Sequence, residues 1–438
     1  MDIDKTTFND LNVFQQEEEF SIFNKLNFTR TRGGKDWLVK FFSEPFNDIN
    51  RIQDTQDILK SIQYREAEWP LAINNGTVMV IEKFYESLID TIPDSANTLN
   101  AYTYRVLHAP DFSLLRYSVG HFADFIRGCR DLVKLFDNDS SPKFMRTYIS
   151  RIADIIKNPL LAQLASIAQG AKITPLQTIY FGNFLQYRFK NHAIELINIY
   201  GRFDAWYSMA MATKRFNLCF PKFSTDAQPF VEVASLYHIL LPSPVSYNVK
   251  LAPDNNFIFL TGANMAGKST FIKAVGAGVY LAHLGMGVPA IEMRLTLFNG
   301  ILSNINVVDN IIKGESYFFN EVQRIKNTII KINDGKKWLV LIDELFKGTN
   351  VQDAMKCSST VIKGLIKIKN SLFILSTHLY EIGEELKSYP NISFRFFETN
   401  VKDDQLDFSY QLKEGISNDR LGYLILKKER VVELLEKL

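Results

Sequence analysis

The chain has 438 residues and a formal net charge of +2, with 46% hydrophobic and 22% charged residues. This composition is typical of a globular protein with apolar cores, and it excludes a disordered chain and a uniformly basic, histone-like surface. The length is sufficient for two domains and possibly three. The three cysteines (Cys129, Cys219 and Cys357) lie far apart, so we expect buried free thiols rather than a disulfide or zinc scaffold.

The first half of the chain is predicted to be mostly helical. Residues 46–69 and 150–169 carry apolar side chains at helical spacing, and Asn158-Pro159 indicates a break within the second stretch. Residues 178–216 are apolar on most faces, which predicts one long helix or two stacked helices. The N-terminus lacks a signal-peptide pattern, and no apolar run reaches the ~20 residues that span a bilayer. We therefore expect a cytoplasmic protein without membrane contact.

The character of the sequence changes at residues 220–230, where Pro221, Ser224 and Pro229 indicate a boundary. Beyond it, short apolar runs alternate with helical patterns. The predicted elements are a strand at 256–262, a helix at 268–285, a strand at 336–344, a helix at 353–368 and a strand at 370–378. This alternation predicts a mostly parallel sheet with helices on both faces. The fold class is therefore α + α/β, with a helical domain over residues 1–222 and a second domain over residues 223–438.

The stretch "TGANMAGKST" at residues 261–270 has the spacing of a phosphate-binding loop. Gly262 and Gly267 permit turns in which successive backbone N–H groups face an anion, and the following helix adds the positive end of its dipole. Lys268 is predicted to reach the β- and γ-phosphates of a nucleotide, and the hydroxyl of Ser269 to bind Mg²⁺. The predicted phosphate contacts are Gly262, Ala263, Asn264, Met265, Ala266, Gly267, Lys268, Ser269 and Thr270.

Two further strands end in candidate catalytic residues. Asp343 and Glu344 follow the apolar run "WLVLI", and His378 follows "FILST". We expect Asp343 to hold Mg²⁺, Glu344 to polarise the attacking water, and His378 to sense the γ-phosphate. Together with Lys268, Glu344 and His378 form the predicted catalytic set. The alternative interpretation is a solvated acidic turn after a strand and a structural histidine.

Several motifs, in this order along the chain, resemble those of the MutS family of DNA mismatch-recognition ATPases. They are "TGANMAGKSTFIKAVG", "LAHLGMGVPA", "KGESYFFNEV", "DELFKGTN" and "STHLYEI", preceded by a core-like segment "NFTRTRGGKDWLVKFFSEPFNDINRIQDTQDIL". Ala263, Ala266, Phe346, Lys347 and Asn350 depart from the family pattern. The resemblance covers the second half of the chain and reaches into the first half.

The resemblance implies ATP and Mg²⁺ as cofactors, an ATPase domain of the ABC type, and a helical core and lever domain with a reduced or absent clamp. It implies a homodimer formed through C-terminal helices, in which Ser316 of one subunit contacts the γ-phosphate held by Lys268 of the other. Asn264 would help to position that phosphate. Val245 or Tyr247 stands nearest to the family's adenine-contacting aromatic residue, and His238 aligns with the family's His-Pro. The mismatch-reading and connector domains have no counterpart in this sequence.

Three functions follow as hypotheses. The first is an ATP-hydrolysing dimer that binds non-specific or structured DNA, in mismatch repair or related repair and recombination. The second is a non-catalytic assembly protein that uses ATP only to change shape. The third, a transporter-type ATPase, lacks the expected Leu-Ser-Gly-Gly-Gln signature. The basic stretches "RTRGGK" and "KGLIKIKN" are candidates for contact with the DNA backbone, although solvated charged surfaces are the commoner explanation.

Overall fold

A computed structural model describes residues 1–15, 20–94, 96–306, 317–402, 405–417, 431 and 434 of the chain. The helices, besides a 3₁₀ turn at Glu66–Glu68, are α1 (Lys5–Asp10), α2 (Ile22–Lys25), α3 (Arg32–Ser43), α4 (Ile49–Tyr64), α5 (Asn75–Glu86), α6 (Thr98–Leu107), α7 (Ala109–Phe136), α8 (Lys143–Ile156), α9 (Pro159–Ala165), α10 (Pro175–Tyr187), α11 (Lys190–Arg215), α12 (Lys268–His283), α13 (Tyr317–Ile332), α14 (Val351–Leu365) and α15 (Glu381–Leu386). The strands are β1 (Asp2–Ile3), β2 (Lys222–Ser224), β3 (Val231–Leu236), β4 (Tyr247–Leu251), β5 (Phe257–Thr261), β6 (Glu292–Thr296), β7 (Gly300–Asn304), β8 (Trp338–Asp343), β9 (Ser371–Ser376), β10 (Ile392–Lys402) and β11 (Gln405–Glu414).

The chain divides into two compact units. The helical unit comprises residues 26–43 and 53–214, and the sheet unit comprises residues 1–25, 44–52 and 215–438. The sequence-based division at residues 222 and 223 differs from this arrangement, because residues 1–25 belong to the sheet unit. The physical reason is local: β1 pairs in parallel with β7, at the edge of the large sheet.

The large sheet is mostly parallel. Its described strands have the order β1-β7-β8-β9-β5-β10-β11, and all neighbours run parallel except the hairpin of β10 and β11. Every residue of β5, β8 and β9 is buried, which agrees with their continuous apolar sequences and with a sheet covered on both faces. Because parallel strands end at the same edge, Thr261, Asp343 and Ser376 lie at one edge of the sheet.

A second sheet has the order β2-β6-β3-β4, and its strand β6 lies in the chain between β5 and β7 of the large sheet. Strand β4 alternates between buried residues (Tyr247, Val249 and Leu251) and exposed residues (Asn248 and Lys250). One face of this sheet is therefore packed and the other is polar. This sheet was not predicted, because its strands are not continuous apolar runs.

In the helical unit, α10 and α11 are separate helices with Arg188 and Phe189 between them, so residues 178–216 form two helices rather than one. The predicted break at Asn158-Pro159 is present, and the Asn158 side chain caps α9 by accepting from the N–H of Leu160. Buried Asp204 accepts hydrogen bonds from the N–H groups of Arg30 and Thr31 at 3.0 and 2.8 Å. Burial raises the pKa of the Asp204 carboxyl, although these bonds oppose the shift.

All three cysteines lie in the described ranges and are free; Cys129 is buried and the other two are half-buried. The described helices include none that is both long and apolar enough to cross a lipid bilayer.

Candidate functional site

The loop of residues 262–267 connects the buried strand β5 to α12. Gly262 and Gly267 have φ angles of 136° and 108°, a conformation that costs glycine little and other residues more. A Cβ atom on Gly262 would lie 3.2 Å from the carbonyl oxygen of Phe397, so the close approach of β10 also requires glycine here. Met265 has a φ of 69° and is exposed at the tip of the loop. The loop thus presents its tip to solvent above the first turn of α12, where helix N–H groups attract anions.

Lys268, the first residue of α12, is buried, and its ammonium group lies under the loop. Nζ donates to the carbonyl oxygens of Gly262 at 2.8 Å and Ala263 at 3.0 Å. Burial lowers the pKa of the Lys268 amine, while the nearby carboxylates of Glu344 and Asp343 raise it. The two carbonyls orient the ammonium group toward the loop. Because no carboxylate of the described residues forms an ion pair with it, its positive charge is suited to bind an anionic ligand.

Asp343 ends β8 and receives two hydroxyl donors. The Oγ of Ser269, in the first turn of α12, donates to Oδ2 at 2.5 Å, and the Oγ of Ser376, at the end of β9, donates to Oδ1. Carboxylate and hydroxyl oxygens are the hard ligands that Mg²⁺ prefers. The oxygen donors of Ser269 and Asp343 therefore fit a magnesium ion. Ser376 was not predicted as a site residue, although it ends a buried strand, as Asp343 does.

Glu344 follows Asp343 in a left-handed conformation with a φ of 56°. Its N–H donates to the carbonyl oxygen of Ser376 at 3.0 Å, which links the ends of β8 and β9. The carboxylate is 17% exposed and contacts Nζ of Lys347 at 2.7 Å, while Nδ1 of His378 lies 4.0 Å from Oε1. Burial raises the pKa of this carboxyl, but the charges of Lys347, Lys268 and His378 outweigh burial and lower it. Glu344 is thus held ionised.

His378 lies beyond the end of β9 with a side chain 54% exposed, so it is open to a ligand. The neighbouring Thr377 fixes this turn, since its N–H donates to the carbonyl oxygen of Leu260 in β5 at 2.9 Å. The structure therefore brings Lys268, Ser269, Asp343, Glu344 and His378 together at the carboxyl edge of β5, β8 and β9.

Aromatic side chains lie beside Gly267. The Tyr247 hydroxyl and the Phe397 ring lie 3.9 and 3.7 Å from the position of a Cβ at Gly267, and a ring carbon of Tyr410 lies 3.4 Å from it. Tyr247, one of the two predicted adenine-contacting residues, thus lies near the loop, while Val245 is half-buried two residues before it. His238 is buried, and burial lowers its pKa to about 4. Its Nδ1 accepts from the N–H of Leu240, and Nε2 has no hydrogen-bond partner among the described residues.

The part of the chain that holds this arrangement is similar in sequence to known proteins. Residues 258–433, which include all the strand ends above, match the family model of MutS domain V. The chain is 26% identical over 247 residues to the DNA mismatch repair protein MutS of Petrotoga mobilis, and 28% identical over 231 residues to that of Pseudothermotoga lettingae. It is 29% identical over 239 residues to the DNA mismatch repair protein MSH3 of Saccharomyces cerevisiae.

Over these residues the chain is similar to proteins of the MutS family. The matched parts amount to 56%, 52% and 52% of this chain, but only 30%, 28% and 23% of the three relatives, so the chain corresponds to less than a third of each. The three relatives are named as DNA mismatch repair proteins.

Two residues that distinguish this chain from the MutS pattern lie beside Glu344. Phe346 is buried with a φ of 59°, and its ring lies 5.7 Å from that of Phe318. Lys347 contacts Glu344 as described above. The buried carboxylate of Glu321 in α13 accepts hydrogen bonds from the backbone N–H groups of residues 346–348, and burial raises the pKa of that carboxyl. Glu321 of the MutS-like "KGESYFFNEV" segment therefore fixes the turn that follows the catalytic candidate.

Two MutS-derived predictions lie outside the described residues. They are Ser316, predicted to contact the nucleotide of a neighbouring subunit, and the C-terminal dimerisation helices after residue 417, of which residues 431 and 434 alone are described.

Proposed function

We propose that the chain is a magnesium-dependent ATPase of the MutS family that binds DNA as a homodimer in the cytoplasm. One observation carries the ATPase proposal: a buried lysine, a serine–aspartate pair, a half-buried glutamate and an accessible histidine converge where three parallel strands end. Ligands of open α/β sheets bind at this edge.

Each side chain has a role in this proposal. Lys268 and the N–H groups of residues 262–270 bind the phosphates, with Asn264 exposed beside them. Ser269 and Asp343 would hold magnesium, which neutralises charge on the β- and γ-phosphate oxygens. Glu344, kept ionised, accepts a hydrogen bond from the attacking water and orients it. His378 is placed to contact the γ-phosphate.

The ATPase proposal is tested by steady-state ATP hydrolysis of the wild type and Glu344→Gln. We expect the rate to fall at least ~100-fold, because general-base assistance contributes about 10² to 10⁴. The affinity for a fluorescent ATP analogue is expected to stay within about threefold, since the lysine and the loop are intact. Glu384→Gln, in an exposed ion pair on α15, is the matched control. Equal rates in wild type and Glu344→Gln would contradict an enzymatic role.

A second candidate, an ATP-switched assembly protein without turnover, is favoured by one contact. Lys347 lies 2.7 Å from Glu344, and the carboxylate it engages is the one required for hydrolysis. If this ion pair persists in the nucleotide complex, Glu344 is not available to water. The outcome that favours this candidate is tight magnesium-nucleotide binding with no phosphate release by the wild type, combined with a change of oligomeric state on binding.

The DNA and dimer parts of the proposal rest on the family. They are tested by gel-shift binding to homoduplex, mismatched and four-way junction DNA, with and without ATP, and by light scattering of the protein with each nucleotide. We expect a dimer with magnesium-ATP and binding to at least one DNA form. If the protein stays monomeric under all conditions and binds none of these DNAs, the DNA and dimer parts of the proposal are wrong. The ATPase proposal is not affected by that result.

A further inference from the structure

Helix α1 contacts the carboxyl edge of the large sheet through a buried acid. Asp10 is 1% exposed and accepts three hydrogen bonds from the end of β7 and the residues after it. The donors are Ser303 Oγ at 2.6 Å, the N–H of Ile305 at 3.0 Å and the N–H of Asn306 at 3.1 Å. Thr7, one turn earlier in α1, accepts from the N–H of Ser303 at 3.1 Å. A carboxylate with this number of donors is fixed in position.

A second lysine of α12 connects this acid with the proposed magnesium site. Lys273 follows Ser269 by four residues, so the two side chains lie on the same face of α12, about 5–6 Å apart at Cβ. Its Nζ donates to Oδ1 of Asn12, just beyond the end of α1, at 3.0 Å. Burial lowers the pKa of the Lys273 amine, and the charges of Asp10 and Asp343 raise it. The ammonium group therefore lies in the field of both carboxylates.

This placement has an electrostatic consequence for a metal. A positive charge near Asp343 opposes the binding of a divalent cation, and a fixed negative charge at Asp10 offsets the opposition. The groups are largely buried, so salt screens the effect only weakly. The position of Lys273 is fixed by its hydrogen bond to Asn12, and Asn12 and Asp10 both belong to the N-terminal segment of the sheet unit.

We propose that Lys273, Asn12 and Asp10 form a charge-balancing network through which helix α1 sets the magnesium affinity of the site at Ser269 and Asp343. The inference rests on the proposed nucleotide site and goes beyond it, because it gives the N-terminal segment a part in metal binding. Asp10 and Lys273 are positioning residues in this network, since neither is required to contact the metal or the nucleotide.

The test compares the affinity for ADP measured in excess EDTA with that measured at saturating Mg²⁺, by competition with a fluorescent nucleotide. The ratio of the two affinities isolates the contribution of the metal. Asp10→Asn is expected to decrease this ratio by about three- to tenfold, and Lys273→Met to increase it by a similar factor. The double variant Asp10→Asn/Lys273→Met is expected to return close to the wild-type ratio. A structural defect alone does not produce shifts of opposite sign.

Controls use matched charges at the opposite edge of the sheet. Asp254→Asn before β5 and Lys336→Met before β8 change the same charges without approaching Asp343, and should leave the ratio unchanged. If Lys273→Met does not fold, Asn12→Asp adds a negative charge beside Lys273 and is expected to increase the ratio. Shifts in the same direction, or none, in folded variants would overturn the network. Absence of nucleotide binding by the wild type would instead overturn the proposed function.

Discussion

Four residues near the candidate site occupy the left-handed region without being glycine: Met265, Glu344, Phe346 and Tyr410. Such conformations cost about 1 kcal/mol or more for an ordinary residue and persist where the surroundings determine them. Around Glu344 the surroundings are the hydrogen bond to Ser376 and the backbone bonds to Glu321. The strain is therefore concentrated at the residue proposed to orient water.

Phe346 offers a direct test of this strain. Both Phe346→Ala and Phe346→Gly lose the buried ring and its contact with Phe318, which costs roughly 3–5 kcal/mol. Only glycine relieves the φ of 59°, so we expect Phe346→Gly to be more stable than Phe346→Ala by about 1 kcal/mol. Urea denaturation of both variants measures the difference. The opposite order, which is usual at ordinary positions, would show that the backbone here is relaxed.

His283 is predicted to make the protein acid-sensitive. The side chain is fully buried, Nδ1 lies 2.8 Å from the carbonyl oxygen of Phe46, and Nε2 accepts from the N–H of Phe298 at 3.3 Å. Both nitrogens are thus used by the neutral ring. Burial lowers the pKa of His283 to about 4, below its ordinary value near 6.5. Stability from the neutral ring is then complete above pH 6.5 and is lost as the pH falls toward 4.

The pKa shift of His283 sets the size of the change in unfolding free energy with pH. Between pH 7 and pH 5, His283 is expected to remove about 2 kcal/mol from the free energy of unfolding. In His283→Gln the fall over this range should be smaller than in wild type by about that amount, while His192→Gln, an exposed control, should follow the wild type. Urea denaturation at pH 7, 6 and 5 provides the comparison, and parallel curves for wild type and His283→Gln would contradict the assignment.

Among the helices, α12 packs closely against Leu11 and Leu341 at the position of Gly276. A Cβ on Gly276 would lie 2.5 Å from a methyl carbon of Leu11 and 2.6 Å from one of Leu341, whereas a Cβ on Gly364 in α14 would meet no atom within 4 Å. We expect Gly364→Ala to stabilise the protein by about 0.5–1 kcal/mol through helix propensity. Gly276→Ala should destabilise it by about 1–3 kcal/mol through overpacking. Thermal and urea unfolding of the pair separate the two effects, and stabilisation by Gly276→Ala would contradict the close packing.

Whether a strand could be predicted from the sequence depends on whether one or both of its faces are buried. Strands β5, β8 and β9 are covered on both faces, so their sequences are continuous apolar runs with charged or polar residues at the ends, and these runs predicted the strands. The roles of the residues that follow the strands stay predictions. Strands β3 and β4 alternate in burial and carry charged residues, which a search for apolar runs passes over. The contribution of α1 was not predictable, because six residues are too few for helical periodicity and Asp10 contacts residues nearly 300 positions away.

At the scale of the whole molecule, the four tryptophans divide between the units: Trp338 lies in the sheet unit, and Trp37, Trp69 and Trp206 lie in the helical unit. With 5-fluorotryptophan incorporated, ¹⁹F NMR follows each during urea unfolding. At magnesium-ATP concentrations 100 times the dissociation constant, we expect the Trp338 transition to gain about 2.7 kcal/mol. Lys268→Met is the control and should show no gain. An unchanged Trp338 transition in a wild type that binds nucleotide would place the ligand elsewhere.

Strand β1 has only two residues, and they pair with Gly300 and Ile301 of β7, a strand whose five residues are all buried. Without β1, this apolar strand would present unpaired N–H and C=O groups that can template pairing with another chain. By pairing with β7, the two residues of β1 therefore protect this edge of the sheet from association with other chains. Deletion of these two residues is expected to cause aggregation, seen as turbidity during storage, before any change at the candidate site on β5, β8 and β9.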